Sequence, residues 1–168
     1  EKSERHFPEF IPLRAAMQEE VVQFFIDLFR ENRSLLSLLD ADHSFLNAPL
    51  AEYYGVELPS AGLANSESSN SVWQRVAGMH SRGRGGILGF AATLAKQSGA
   101  SRTSPILRGN WISEVILGER LPRPPKDTPV LPDETPAGLT ERQFTERHSS
   151  DPACARCHDR IDHFGFAL

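Results

Sequence analysis

The chain has only two cysteines in 168 residues, and it lacks a second C-x-x-C pair. A structural zinc site needs four ligands, so this pair does not build one alone. No apolar run approaches the roughly 20 residues that span a bilayer, so the chain as given holds no transmembrane segment. Basic residues do not predominate: the net charge is −4, which gives no reason to expect nucleic acid as a partner. Gly83, Gly85, Gly86 and Gly89 lack both the G-K-[ST] ending and the preceding strand of a phosphate loop. The N-terminal Glu1-Lys2-Ser3-Glu4-Arg5 is charged and unlike a secretory leader. A length of 168 with 39% apolar residues suits one domain, or a domain with a smaller appendage.

Against these absences stands one pentapeptide, Cys154-Ala155-Arg156-Cys157-His158, which holds both cysteines. C-x-x-C-H is the attachment signature of c-type haem. One helical turn sets the two sulfurs along one porphyrin edge, and the histidine presents its imidazole to the iron. Three plainer readings compete. The pair could form an ordinary disulfide, or join His148, His158 or His163 around one zinc ion. A thioredoxin-type pair would follow a βαβ pattern, and no such strand pattern precedes it.

The apolar spacing predicts a mainly α fold. Leu13, Met17, Val21, Phe24, Phe25, Leu28 and Phe29 recur at helical steps between about Pro12 and Asn32. Arg14, Glu19, Glu20, Asp27 and Arg30 are expected on the opposite, solvent face. Ser34 reads as the cap of a short helix, Leu35 to Asp40, and Asp42-His43-Ser44 as a turn. Asn47 to Tyr54 reads as a third helix, with Pro49 in its first turn and Gly55 as its stop. Pro59 to Asn70, rich in small and polar residues, reads as a loop. Val72 to Ala77 is a strand or a helical turn, and Ile87 to Lys96 a helix. Thr103-Ser104-Pro105 opens a helix expected to bury Ile106, Leu107, Trp111, Val115 and Ile116 and to end at Gly118. Trp73 and Trp111 read as core side chains.

Six prolines between 122 and 136 exclude regular structure there and favour an extended strap along the surface. Thr140 with Gln143 resembles a capping box. Asp151 and Pro152 supply a cap and a first-turn proline for the helix that carries the pentapeptide. The expected organisation is a helical domain over 1–120, the strap over 121–139, and a cytochrome c-like helical segment over 140–168.

Cys154 and Cys157 are the expected thioether anchors and His158 the proximal iron ligand. The sixth ligand sets the chemistry: methionine raises the potential, histidine lowers it, and an open position admits small molecules. Met79 leads, since Met79-His80 precedes a glycine-rich turn; His80, His148, His163 and Met17 are the other candidates. Arg82, Arg84, Arg102 and Arg108 form a basic cluster, read either as partners of the haem propionates or as a solvated face.

Several motifs carry a family likeness: Phe45-Leu46-Asn47, Arg84-Gly85-Gly86-Ile87-Leu88, Thr103-Ser104-Pro105-Ile106-Leu107-Arg108-Gly109 and Trp111. The proline strap, Asp151 to His158, and Ile161-Asp162-His163-Phe164-Gly165-Phe166-Ala167-Leu168 extend it. Together they resemble two adjoining domains of unknown function in large secreted planctomycete-type cytochrome c-like proteins. The sequence departs from the family pattern at His163, where proline is usual, and at Gly89-Phe90-Ala91, which replaces a more polar stretch. Members continue past Phe-Ala-Leu, so the resemblance implies a fragment of a longer protein. It implies a c-type haem domain and supplies no substrate.

The reading from sequence is therefore an exported c-type cytochrome module with one covalent haem c. It would pass single electrons to a redox partner protein or a neighbouring haem domain, in a periplasmic or extracellular setting. Two alternatives stand beside it: a haem enzyme with an open, peroxidase-like sixth position, and a zinc-binding interaction module. The residues leave open whether the chain is a catalyst.

Overall fold

A computed structural model describes residues 2–58, 72–123, 128 and 131–168. The fold is mainly α, with 55% helix and 5% strand. The chain forms two compact units, residues 9–93 and residues 94–168 together with 1–8. This differs from the expected boundaries at 120 and 139. The helix opening at Pro105 packs along the pentapeptide helix, which draws residues 94–120 into the same unit.

In the unit 9–93, α1 (Phe10–Arg30) buries Leu13, Met17, Phe24 and Leu28 as the apolar spacing requires. Glu20 corrects the expected solvent face. It lies between Met17 and Phe24 on the buried stripe and is 0% exposed. Its carboxylate accepts hydrogen bonds from Ser44 Oγ at 2.5 Å and Tyr54 OH at 2.7 Å. Such partners are what make a buried carboxyl tolerable. Asp27, expected on the same solvent face, accepts a bidentate pair from Arg33 and lies 3.2 Å from His43 Nε2.

A short helix, α2 (Ser37–Asp40), starts later than expected, after a turn in which Ser34 Oγ accepts the Leu36 N–H. The predicted turn at Asp42-His43-Ser44 is instead the start of strand β1 (His43–Leu46). Its ladder comes from β2 (Gln74–Ala77), antiparallel, with His43 opposite Ala77 and Leu46 opposite Gln74. A partner thirty residues away along the chain leaves no local signal. Between them α3 (Ala48–Tyr54) forms as predicted. The Asn47 side chain accepts from Leu50 N–H, Pro49 sits in the first turn, and Gly55 ends it at φ 64°. The loop expected at Pro59 to Asn70 lies outside the described residues.

Met79–Arg82 and Gly86–Leu88 are single 3-10 turns, so the helix expected from Ile87 starts only at α4 (Ala91–Lys96). Gly86 explains the break. It has φ 53°, and a Cβ there would strike the Leu38 carbonyl. Leu13, Met17, Leu46, Leu50, Tyr54, Val76 and Met79 pack into one apolar cluster, with Trp73 against its edge. Phe24, Ala41 and Phe90 make a second, which Val21, Leu38 and Ile87 flank.

In the other unit, α5 (Pro105–Trp111) is capped by Ser104, whose hydroxyl accepts the Leu107 N–H. It widens into a π-helical turn over Ile112–Ile116 and stops at Gly118, φ 68°. The expected buried face is corrected: Leu107 is 45% and Val115 63% exposed. The buried face is instead Pro105, Arg108, Gly109, Ile112 and Ser113. A glycine on each helix explains this choice. A Cβ at Gly109 would strike the Ile161 carbonyl, and one at Gly165 would strike the Pro105 carbonyl. The helices cross at backbone contact, so small residues take the interface.

Helix α6 (Glu141–Ser149) has the predicted capping box, Thr140 and Gln143 bonding each other's backbone N–H. Helix α7 (Pro152–Ala167) has the predicted Asp151 cap. The described strap residues form neither helix nor strand. They are tied down: Pro132 O accepts from Arg102 Nε at 3.2 Å, and Thr135 Oγ1 donates to Glu141.

Candidate functional site

Asp151 and Pro152 fix where α7 begins, and that start places the pentapeptide in its first two turns. Residues three and four apart lie on one helix face, so Cys154, Cys157 and His158 share a side. Both thiols are free. Cys154 is buried and Cys157 half-buried, with its Sγ 3.8 Å from the Pro122 carbonyl at the head of the strap.

His158 and Asp162, one turn further on, are each 8% exposed. The His158 Nδ1 stands 2.8 Å from Asp162 Oδ1. With Nδ1 donating to the carboxylate, Nε2 is the nitrogen left to bind a metal. Sequence reasoning passed over Asp162. Its signal was the four-residue spacing from His158 on a helix whose start was legible.

The His148 ring meets the His158 ring edge to face, centroids 5.1 Å apart. Burial holds His148 below the usual histidine range. An open cleft of about 540 Å³ lies beside them, with Arg142 and Glu146 of α6 and His158, Asp162, His163 and Phe166 of α7 on its walls. Arg142 lies over the Phe166 ring at 4.2 Å. His163 is exposed and rests on Phe164.

The four arginines expected as one cluster are divided between the units. Arg82 and Arg84 belong to 9–93, Arg102 and Arg108 to the unit of the pentapeptide. Arg82 donates to the Gly55 carbonyl. Arg84 donates to Gly89 O at 2.6 Å and covers the Tyr54 ring at 3.9 Å. Arg102 pairs with Glu141 at 3.0 Å. Arg108 is buried, and its Nε and Nη2 donate to Gly165 O at 3.3 and 3.1 Å. It thereby ties α5 to a backbone carbonyl near the end of α7.

Met79 is 2% exposed within the apolar cluster of 9–93, and Met17 packs in the same cluster. His80 lies on that unit's surface, 3.3 Å from Asp40 and 3.7 Å from Asp42. Among the described residues, no three His, Cys, Asp or Glu side chains gather as a metal site.

Fold and site define a small, mainly helical protein whose C-terminal helix opens on C-x-x-C-H. Residues 84–168, half of the chain, match PSCyt3, described as a protein of unknown function (DUF1588), and the chain belongs to that family. Residues 1–56 match PSD4, also described as a protein of unknown function (DUF1592). Both names belong to planctomycete-type cytochrome-like domain families. No curated protein and no solved structure matches the chain. The PSCyt3 match opens at Arg84, in the glycine-rich turn, and runs through the whole of α7.

Proposed function

We propose that the chain is an exported c-type cytochrome module that carries one covalent haem and passes single electrons. The carrying observation is the shared face of Cys154, Cys157 and His158 on α7, with Nδ1 of His158 held by a buried carboxylate. Three features of the chain fit a haem there. The two free thiols can each add S–H across a vinyl group, forming a thioether. The histidine has its ring orientation and tautomer fixed, which leaves Nε2 for the iron. The unit around the site is poor in apolar filling: its buried apolar side chains are Pro105, Ile112, Phe144, Cys154 and Ile161, among the described residues.

A haem bound there supplies a one-electron iron couple. The protein's part is to attach it, to limit water at His158, and to leave an edge for exchange with a redox partner or neighbouring haem domain. Thioether attachment takes place outside the bacterial cytoplasm, which supports a periplasmic or extracellular location. Arg102 and Arg108 are the expected propionate partners within this unit; each would have to share Glu141 or Gly165 with that role.

One observation favours a second reading, an iron with an exchangeable sixth position. Both methionines, Met17 and Met79, are core side chains of residues 9–93. Carbon monoxide binding to the reduced protein at neutral pH separates this from a six-coordinate electron carrier.

The test of the first reading is the absorption spectrum of protein exported in a host with haem-attachment machinery. Sharp α and β bands on reduction, with colour that survives acid–acetone extraction, are expected. A colourless protein would sink it.

A further inference from the structure

The Asp162 carboxylate meets the one histidine that the C-x-x-C-H motif assigns to iron, and nothing in the motif requires a carboxylate there. We propose that Asp162 is a positioning residue that loads negative charge onto His158 and holds the potential of the attached haem low. The inference rests on the reading of His158 as the iron ligand.

Three observations converge on it. The contact is short, 2.8 Å from Nδ1 to Oδ1. Both side chains are nearly sealed from water, each 8% exposed. Both also stand on one rigid helix, four residues apart, so backbone hydrogen bonding fixes their spacing without help from a loop. Its last turn is anchored by Arg108 on Gly165 O and by the glycine contact with α5. The pair therefore has little freedom to drift apart.

A carboxylate acceptor does more to an imidazole than a neutral carbonyl. The charge-assisted bond is roughly twice as strong, and the dry surroundings strengthen it further. As the Nδ1 proton is drawn toward Oδ1, the ring gains imidazolate character and Nε2 becomes a stronger donor. A stronger donor stabilises ferric iron more than ferrous, which lowers the potential. The edge-on His148 ring leaves this bond intact, since its contact with His158 is ring to ring. The consequence is a carrier poised to give electrons up.

The experiment compares wild type with Asp162→Asn and Asp162→Glu, all exported and haem-loaded, by redox titration. Asp162→Asn should keep its haem, because the thioethers are untouched. Its reduction equilibrium should move at least tenfold toward the ferrous form, a rise of 59 mV for one electron. Asp162→Glu, which keeps the charge, should recover part of that shift. An unchanged potential in Asp162→Asn overturns the proposal and leaves the haem reading standing. Wild type without covalent haem overturns both. Should Asp162→Asn fail to fold, resonance Raman of reduced wild type decides. An iron–histidine stretch raised above that of neutral imidazole supports the proposal, and one at the neutral value refutes it.

Discussion

Residues 9–93 and residues 94–168 close their interiors in different ways. The first unit owns both apolar clusters, and Glu20, its one fully buried carboxyl among the described residues, has a donor on each oxygen. The second buries a large share of polar groups: Ser104, Arg108, Ser113, Thr145, His158 and Asp162. Thr145 is 0% exposed, and its hydroxyl has no partner among the described residues. That unit is held by helix caps, a glycine crossing and charged groups on carbonyls, more than by apolar burial. The contrast teaches that one unit is finished by its own side chains, while the other has a thin apolar interior that the proposed haem would extend. Small domains with thin cores are commonly completed in this way.

The largest expected effect breaks the second unit's chemistry alone. Replacing Cys154 and Cys157 together with serine should abolish retained haem altogether, as judged by colour after acid–acetone extraction. The chain has two tryptophans, one in each unit, so each unit can be followed by fluorescence in a variant that lacks the other. The midpoint reported by Trp73 should not move in the double variant. A shift there would mean that the two units do not stand apart energetically.

Next in size is a pH effect confined to residues 9–93. Burial pushes the Glu20 carboxyl up to about 7 from an ordinary 4.5, against partial relief from Ser44, Tyr54 and Arg84. Between those values the folded state keeps a proton that the unfolded chain has released. The Glu20 contribution to stability should therefore fall as pH rises through this window, by on the order of 3 kcal/mol, and Glu20→Gln should remove it, leaving the opposite, rising contribution of His43, which burial holds below the usual histidine range. Denaturant titration read by Trp73 measures it. Profiles of equal slope in the wild type and Glu20→Gln would remove Glu20 from its place in the comparison.

Gly165→Ala sharpens the account of the second unit. The added methyl meets the Pro105 carbonyl, so α5 and α7 must part. A loss of about 2 kcal/mol is expected from such overpacking, seen by Trp111 and not by Trp73. The smallest effect is at a cap. Asp151→Ala removes the acceptor for Ala153 N–H at the start of α7 and should cost about 1 kcal/mol, again in the Trp111 signal.

Much of this was legible in sequence wherever the chemistry is local. Asn47-Pro49-Gly55, Ser104-Pro105, Thr140-Gln143 and Asp151-Pro152 each announced a helix end, because a cap satisfies backbone groups within four residues of itself. The pentapeptide was legible for the same reason. What the sequence hid depends on partners far along the chain. Strand β1 exists because β2 pairs with it, and Glu20 is interior because Ser44 and Tyr54 come to meet it. The buried face of α5 followed Gly109 rather than Leu107, since backbone contact with α7 outweighed apolar character. Asp162 is the intermediate case, local in spacing but meaningful only once His158 has been given a role.

The most direct test of the account is amide hydrogen exchange of the whole chain, haem-loaded against a haem-free Cys154→Ser, Cys157→Ser form. Protection in α5, α6 and α7 should rise on loading while α1, β1 and α3 exchange at unchanged rates. Equal exchange in the two forms across α5 to α7 would contradict it.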